Sequence, residues 1–430
     1  MKRLFSRLGK KQDDGEGEEQ NIFGKVGSFF DPEPQKERVL NKEDFNGAGD
    51  TYYATVSAFY KVAERLLWVI LAVFLSVSIA TNYREITYSN FFYLLRDFST
   101  AAESNTSNYQ VLSYDSDDRQ KFAIYRGGLV SASPSSVSIF TASGRRTLKS
   151  NNDYYSPNVI CCDKYVLVYD AARSTFSIYN SFSKVYNEKT DAPITDACFN
   201  SDGAFAIATR KESGGTVIYL YDEDINKRGK ISDSRYMLDM SLNNSESRFA
   251  SLYYSAGNGT GETAICVYDI RNSNGKRLSN ILIQGEFPLQ CAFLGDDRLA
   301  VITDRSIRIY DDDSKQIYSQ SFGEAKICAV SANENGAIAV VSNGSLKTVY
   351  SFDSDGEPLY GGRVSENISA AAVHGDYLFL RTVTGVIRID ASSGAQSFLP
   401  SDSGKMLIYS EDTAIVCGDA KAEYLVFYDN

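Results

Sequence analysis

The chain contains one histidine, one tryptophan and four methionines in 430 residues. With a single histidine there is little material for a His-built metal centre or acid–base pair. That residue, His374, has no serine or cysteine placed as a triad partner and reads as a satisfied residue at a strand end. The seven cysteines include no Cys-x-x-Cys and no cluster with zinc spacing, and an odd number cannot all pair within one chain. An excess of cations is missing as well: 44 Lys and Arg stand against 55 Asp and Glu, a net charge of −11. Phosphate neutralisation needs clustered cations, so nucleic acid is not an expected partner. The acidic clusters Asp222-Glu223-Asp224, Asp311-Asp312-Asp313 and Asp353-Ser354-Asp355-Gly356 do not complete a twelve-residue calcium loop with a terminal Glu. They read as turns, and no metal or cofactor is expected.

Long uncharged runs are also scarce, with one exception at residues 66–83. Eighteen such residues make a helix of about 27 Å, close to the ~30 Å of a hydrocarbon core. Lys61 and Arg65 precede the run, Arg84 follows it, and Trp68 and Tyr83 sit near its ends, where aromatic rings favour the interface. The reading is a single transmembrane helix over 61–84, contacting membrane lipid. Eleven Lys and Arg precede it, which favours a cytoplasmic N-terminus and an extracytoplasmic C-terminal part. Residues 1–60 read as a mostly disordered tail that is basic at Lys2, Arg3 and Arg7 and acidic from Asp13 to Glu19. Residues 85–108 read as an amphipathic stalk.

What remains is periodic. Eight segments end alike, in an aromatic or branched residue that is usually followed by Asp. The closing residues are Phe140, Tyr179, Tyr221, Tyr268, Tyr310, Phe352, Ile389 and Tyr428, spaced 37–47 apart. Apolar residues alternate every two within these segments, which excludes helical repeats. Each is preceded by a second apolar run, such as Val166-Leu167-Val168 or Ile338-Ala339-Val340, and before that by a further short strand. Turns follow with Gly144, Gly275, Gly356 and Gly394 placed for positive φ, and then a fourth strand. A four-stranded unit of this length is a propeller blade. The expected fold is all-β, an eight-bladed β-propeller over 109–430, with seven blades as the alternative. The last unit stops after its third strand, so Tyr109-Gln110-Val111-Leu112-Ser113-Tyr114 is expected to supply its outer strand.

Cys291 and Cys328 are read as equivalent inner-strand positions, matched by Ala197 in a third blade. This points to small buried packing residues, as do Cys198 and Cys266. The adjacent pair Cys161-Cys162 is the candidate for a strained vicinal disulfide.

The blade period and turns such as Asp390-Ala391-Ser392-Ser393-Gly394 resemble the PQQ-like (quinoprotein-like) and WD40-like propeller superfamilies over residues 109–430. Quinoprotein enzymes place a vicinal disulfide ring over their cofactor and floor it with a Trp. Here the one Trp is Trp68, far from any blade, and no unit ends in Trp-Asp or starts in Gly-His. The resemblance therefore implies the fold and no quinone. As a whole, a tail, one span and a propeller resemble a Gram-positive bacterial family of unknown function (DUF5711-like), which implies location and fold but no functional residues. The expected function is a membrane-tethered, extracytoplasmic module of the cell envelope. It would bind or scaffold a protein or glycan without catalysis. The alternatives are an envelope lyase or hydrolase with a channel site of carboxylates and Tyr, and a sensor signalling through the N-terminal tail.

Overall fold

The computed structural model describes residues 48–81 and 111–428, apart from 118, 172, 258–259 and 272–274. Eight antiparallel sheets of four strands each form the propeller. Blades 1 to 7 span 121–151, 157–189, 194–233, 236–284, 288–321, 326–364 and 368–400. Blade 8 takes three strands from 405–426, and its fourth is Leu112–Ser113. The eight-fold count stands, and the strand exchange expected for closure is observed: Leu112 pairs with Ala422, and Ser113 with Lys421. The paired stretch is two residues long, shorter than the six expected. Beyond it, the Tyr114 hydroxyl donates to the carbonyls of Gly418 (2.6 Å) and Lys421 (2.9 Å).

Second strands are buried at every position in blades 1, 2 and 8, because both faces of each sheet are covered by neighbours. Fourth strands alternate between exposed and part-buried residues, as Arg146–Asn151 and Lys184–Lys189 do. The core is accordingly divided into eight apolar clusters, and each lies between two adjacent blades. Phe176, Phe205 and Tyr221 illustrate one of them, stacking between blades 2 and 3.

The closing motif has a local cause. In blades 1 to 6 the pairing of third and fourth strands shifts by one residue at the closing aromatic, for example at Ile309/Tyr310 and Ser351/Phe352. The Asp that follows then caps the turn. Asp353 Oδ1 accepts the N–H groups of Asp355 and Glu357, both at 2.9 Å, and Asp222 and Asp311 act alike. Three residues on the chain needs a left-handed backbone, which Gly356 supplies at φ 78°.

Among the described residues one helix lies outside the propeller, Ala48–Thr81. It starts well before the expected position 61, and its described hydrophobic side chains, Trp68 among them, are largely exposed. Among the described residues no helix is long and apolar enough to cross a membrane. The uncharged run starts at Leu66, directly after Lys61, Glu64 and Arg65, and only part of it falls before Thr81. The flanking Tyr83 and Arg84, the stalk and residues 1–47 of the tail lie outside the described residues.

If closure depends on the exchanged strand, Leu112, which is 2% exposed, should be costly to truncate. Leu112→Ala is expected to lower unfolding free energy by about 2–4 kcal/mol in urea titrations. Val111→Ala, one residue earlier and 59% exposed, should stay within about 0.5 kcal/mol of the parent.

Candidate functional site

The first strands of adjacent blades contact one another around the axis. In blades 3 to 7 each of these strands carries a one-residue bulge near its start, at Ile194/Asp196, Met237/Asp239, Pro288/Gln290, Ile327/Ala329 and Ile368/Ala370. A bulge re-aims the residue after it. It places Asp196, Asp239 and Gln290 at one register on three consecutive blades.

A cavity of about 500 Å³ occupies the axis, with Asp239, Ser241, Gln290, Cys291 and the pair Cys161 and Cys162 among its lining. It lies toward the end where first strands turn into second strands. Asn200 and Asn244 shape that rim: Asn200 Oδ1 accepts from the N–H of Gly203 (3.0 Å) and Ala204 (2.8 Å). Asn244 Nδ2 reaches across to Glu334 Oε2 at 3.3 Å. Asn244 also lines a second hollow of about 660 Å³ between blades 3 and 4, where Asp202, Glu223 and Glu246 meet Arg228 and Arg271. Asn244 is the one lining residue that cavity and hollow share.

The electrostatics are one-sided. Asp239 Oδ2 accepts the Cys291 N–H at 2.7 Å. Asp196 Oδ1 accepts its neighbour's Ala197 N–H at 2.9 Å and the Tyr169 hydroxyl at 3.4 Å, while Asn158 Nδ2 donates to that hydroxyl at 2.9 Å. Among the described residues no Lys or Arg forms an ion pair with either carboxylate. Burial pushes the Asp239 carboxyl up to about 7, and the nearby Asp196 charge adds to the shift. Burial pushes Asp196 up to about 6, opposed by the Ala197 N–H and the Tyr169 hydroxyl. In the outer hollow Arg228 pairs with Glu246 at 2.8 Å. The Glu246 carboxyl is still raised, by burial first and then, against Arg228, by Glu223, Asp202 and Asp222.

All seven cysteines are free thiols. Cys161 and Cys162 sit together on the cavity wall, unbonded, with Cys162 Sγ accepting the Tyr165 N–H at 3.3 Å. Burial raises the Cys161, Cys198 and Cys291 thiols well above their ordinary value. Cys291 and Ala197 are equivalent, facing Val301 and Ile207 on their second strands. Cys328 is not their equivalent: it is the bulged residue between Ile327 and Ala329, and it is half-buried. The residue that matches them is Val330, which faces Ala339. His374 does end a first strand, its Nδ1 3.4 Å from Asn335 Nδ2. Among the described residues no group of three or more His, Cys, Asp or Glu could hold a metal ion. Asp196 and Asp239 had not been singled out. The signal was present as an acid two residues after Ile194 and after Met237, inside otherwise apolar strands of two successive repeats.

Fold and site together define a closed eight-bladed propeller with a polar, acid-lined axial cavity. Residues 102–325, just over half of the chain, match the model of a family of unknown function (DUF5711), and the chain belongs to that family. No curated protein matches it significantly. Among solved structures, Sqt1 of Saccharomyces cerevisiae is similar at TM-score 0.53 and 12% identity, covering 75% of this chain and 100% of that one. Chaetomium thermophilum Sqt1, bound to the N-terminus of ribosomal protein L10, gives TM-score 0.55 at 12% identity, covering 74% and 100%. Apo AztD of Citrobacter koseri gives 0.51 at 10%, covering 70% and 91%. At such identities the likeness shows the fold alone.

Raised carboxyls have a consequence for stability. Each of these Asp residues binds its proton more tightly folded than unfolded, so its contribution is fully present below about pH 4 and is lost as pH rises toward 7. Asp239→Asn keeps an acceptor for Cys291 and removes the charge. Its unfolding free energy should fall less than the parent's between pH 4 and 7, and exceed it at pH 8 by on the order of 2 kcal/mol. Urea titrations across this range check it. Native-state alkylation should also spare Cys266, Cys291 and Cys417, which are buried, until denaturant is added.

Proposed function

We propose that the propeller is a non-catalytic binding and scaffolding module that holds a protein or glycan at its axial cavity, tethered to the plasma membrane through the uncharged run of residues 66–83. The observation carrying this reading is the axial cavity, beside which a second hollow opens between blades 3 and 4 with Asn244 lining both. A rigid closed ring presents such a surface without needing to rearrange. Support for the tether comes from the helix: from Phe59 to Val77 its described large hydrophobics are 40–74% exposed, and such a surface calls for apolar surroundings. Support for the absence of catalysis comes from the thiols, whose raised pKa values make poor nucleophiles.

One observation favours a second reading, an envelope enzyme. Asp196 and Asp239 are paired acids with raised carboxyls, and Tyr169 bonds to the first of them. That is the equipment of a general acid beside a general base.

Photo-crosslinking in cells separates the two. A photoreactive residue at position 244 should trap one defined partner, and Asp196→Asn with Asp239→Asn should not abolish a measurable turnover. Loss of an activity in that double variant, with no trapped partner, would favour the enzyme. Protease added to intact cells should digest sequence beyond Arg84 and spare residues 1–60; the reverse pattern would overturn the topology.

A further inference from the structure

The face of blade 1 that meets blade 8 changes character along its length. Phe122, Leu129 and Phe140 pack against Leu112, Ile415, Cys417 and Ala422 across the closing interface. Further along the same strands the face turns polar: Ser131 pairs with Ser138, and Ser138 with Lys149, so the three stand in one cross-strand row. A pocket of about 190 Å³ opens there, lined by blade 1 together with Tyr114–Asp117 and Gln120. It shares no lining residue with the axial cavity. Six of its fourteen lining residues are serine, so much of the wall both donates and accepts hydrogen bonds. Two of its polar groups lack partners. Ser138 is 8% exposed, and among the described residues nothing bonds to its hydroxyl. Gln120 donates through Nε2 to Ser131 Oγ, which leaves its buried Oε1 unsatisfied; turning the amide round leaves its nitrogen so instead. Blade 2 fills the same place from within. Ser177, like Ser138, stands two residues before the closing aromatic, and it bonds to the Tyr154 hydroxyl (2.7 Å) and to Asn187 Oδ1 (2.8 Å). Tyr154 lies three residues before Pro157, whose register partner is Asp170; the matching pair in blade 1 is Phe122 and Ser131. Three residues before Phe122 stands Arg119, which turns away to the Tyr155 carbonyl at 2.8 Å and over its ring at 4.4 Å. Blade 1 therefore has the polar wall without the side chain that plugs it.

We propose that this pocket binds one neutral hexose ring, which takes the place that Tyr154 takes in blade 2. The site goes beyond the reading given for the axial cavity and does not depend on it. Charge selects the ligand class. Arg146 and Lys149 line the pocket, as do Asp115 and Asp117, and Lys149 already pairs with Asp115 at 3.1 Å. A wall with no net charge disfavours a dedicated anion or cation site and suits a ligand whose polar groups are hydroxyls. Sugar hydroxyls donate and accept as the serines do, so they satisfy Ser138 and either end of the Gln120 amide. Leaving those groups enclosed and unpaired costs free energy that such a ligand recovers. Size narrows the choice further. The volume equals that of roughly six waters at ~30 Å³ each, room for one ring but not for a disaccharide or a peptide. Tyr114 and Phe140 complete the wall with ring carbons, against which the C–H groups of a pyranose pack. Because the wall joins residues 114–117 to blade 1, an occupied pocket also holds the closing segment in place.

The test uses the full chain in a non-ionic detergent that carries no sugar head group. The probes are the methyl glycosides of glucose, galactose and mannose, with glucuronate and glucosamine as charged arms. At least one methyl glycoside should give saturation-transfer signals and raise the melting temperature as its concentration rises. The charged arms should bind more weakly. Ser138→Ala should weaken the sugar by about tenfold or more while leaving the unliganded protein as stable as the parent, since the hydroxyl it removes bonds to nothing. Arg119→Tyr, which supplies the side chain that plugs blade 2, should abolish sugar binding and raise the melting temperature without sugar. Absence of binding by all three glycosides, or binding that survives Ser138→Ala unchanged, would overturn the proposal. Tighter binding of glucuronate or glucosamine would replace the neutral sugar with a charged ligand and overturn it as well. If Arg119→Tyr does not fold, Ser138→Ala decides alone. Crosslinking from position 244 reads the axial cavity, so its failure and the failure of this site are separate results.

Discussion

Everything in this structure depends on closing the ring. A blade has two apolar faces and no way to cover them alone, so each needs a neighbour on both sides. Seven of the eight interfaces form between blades adjacent in sequence. The eighth, between blade 8 and blade 1, gathers Leu112, Ala422, Ile415 and Cys417 against Phe122, Leu129 and Phe140. It exists because a two-residue strand from the start of the propeller completes the last sheet. That pairing joins residues some three hundred positions apart in the chain, and a contact of such span forms late and at high entropic cost. Tyr114 reinforces it with two hydrogen bonds and a ring 5.1 Å from Phe122.

Closure also creates the site. Eight first strands around one axis leave a hollow that no blade can fill, and the bulges decide what faces it. Apolar residues would have been the stable choice there. Instead, Asp239 lines it with Asp196 near it on the adjacent blade, each raised by burial and the first further raised by the second. A carboxyl kept in such surroundings lowers stability at neutral pH, and places where a fold departs from its stable choice are where function is expected. Other enclosed acids in the propeller behave differently. Asp170 accepts the N–H groups of Tyr155 (2.9 Å) and Ser156 (2.7 Å), and Glu286 pairs with Arg308 at 2.6 Å. Those two hold crossovers between blades and need no further explanation.

Blade number, strand order, the exchanged strand and the glycine turns were all legible, because they follow from a period of two within strands and a repeat near 41 residues between them. Gly144, Gly275, Gly356 and Gly394 do take positive φ. Ile225 and Ser314 occupy the corresponding place in blades 3 and 5 at φ 66° and 62°. Nothing in either residue type announces this, and a branched residue there is strained. The bulges were illegible for a related reason. One inserted residue leaves the apolar pattern almost unchanged while shifting every partner on one side of it. The equivalent of Cys291 is Val330 rather than Cys328, and the two axial acids looked like ordinary strand polars. Neighbouring blades set these positions, and a single strand carries no record of its neighbours.

Charge is distributed by the same geometry. Fourth strands face outward and carry Arg146, Lys149, Lys184, Lys189, Lys227 and Lys230, so the waist of the ring is basic. The turns at the cavity end carry eighteen Asp and Glu against five Lys and Arg, and the closed sheets between them exclude water from the blade interfaces. Low-dielectric walls around an acidic opening focus the field along the axis instead of letting it spread over the surface. A net charge of −11 on a chain of this length would be unremarkable if it were evenly spread. Gathered at one end of a ring whose centre holds two carboxylates without cationic partners, it gives that end a direction. It draws cations toward the axis and repels anionic partners from the cavity there.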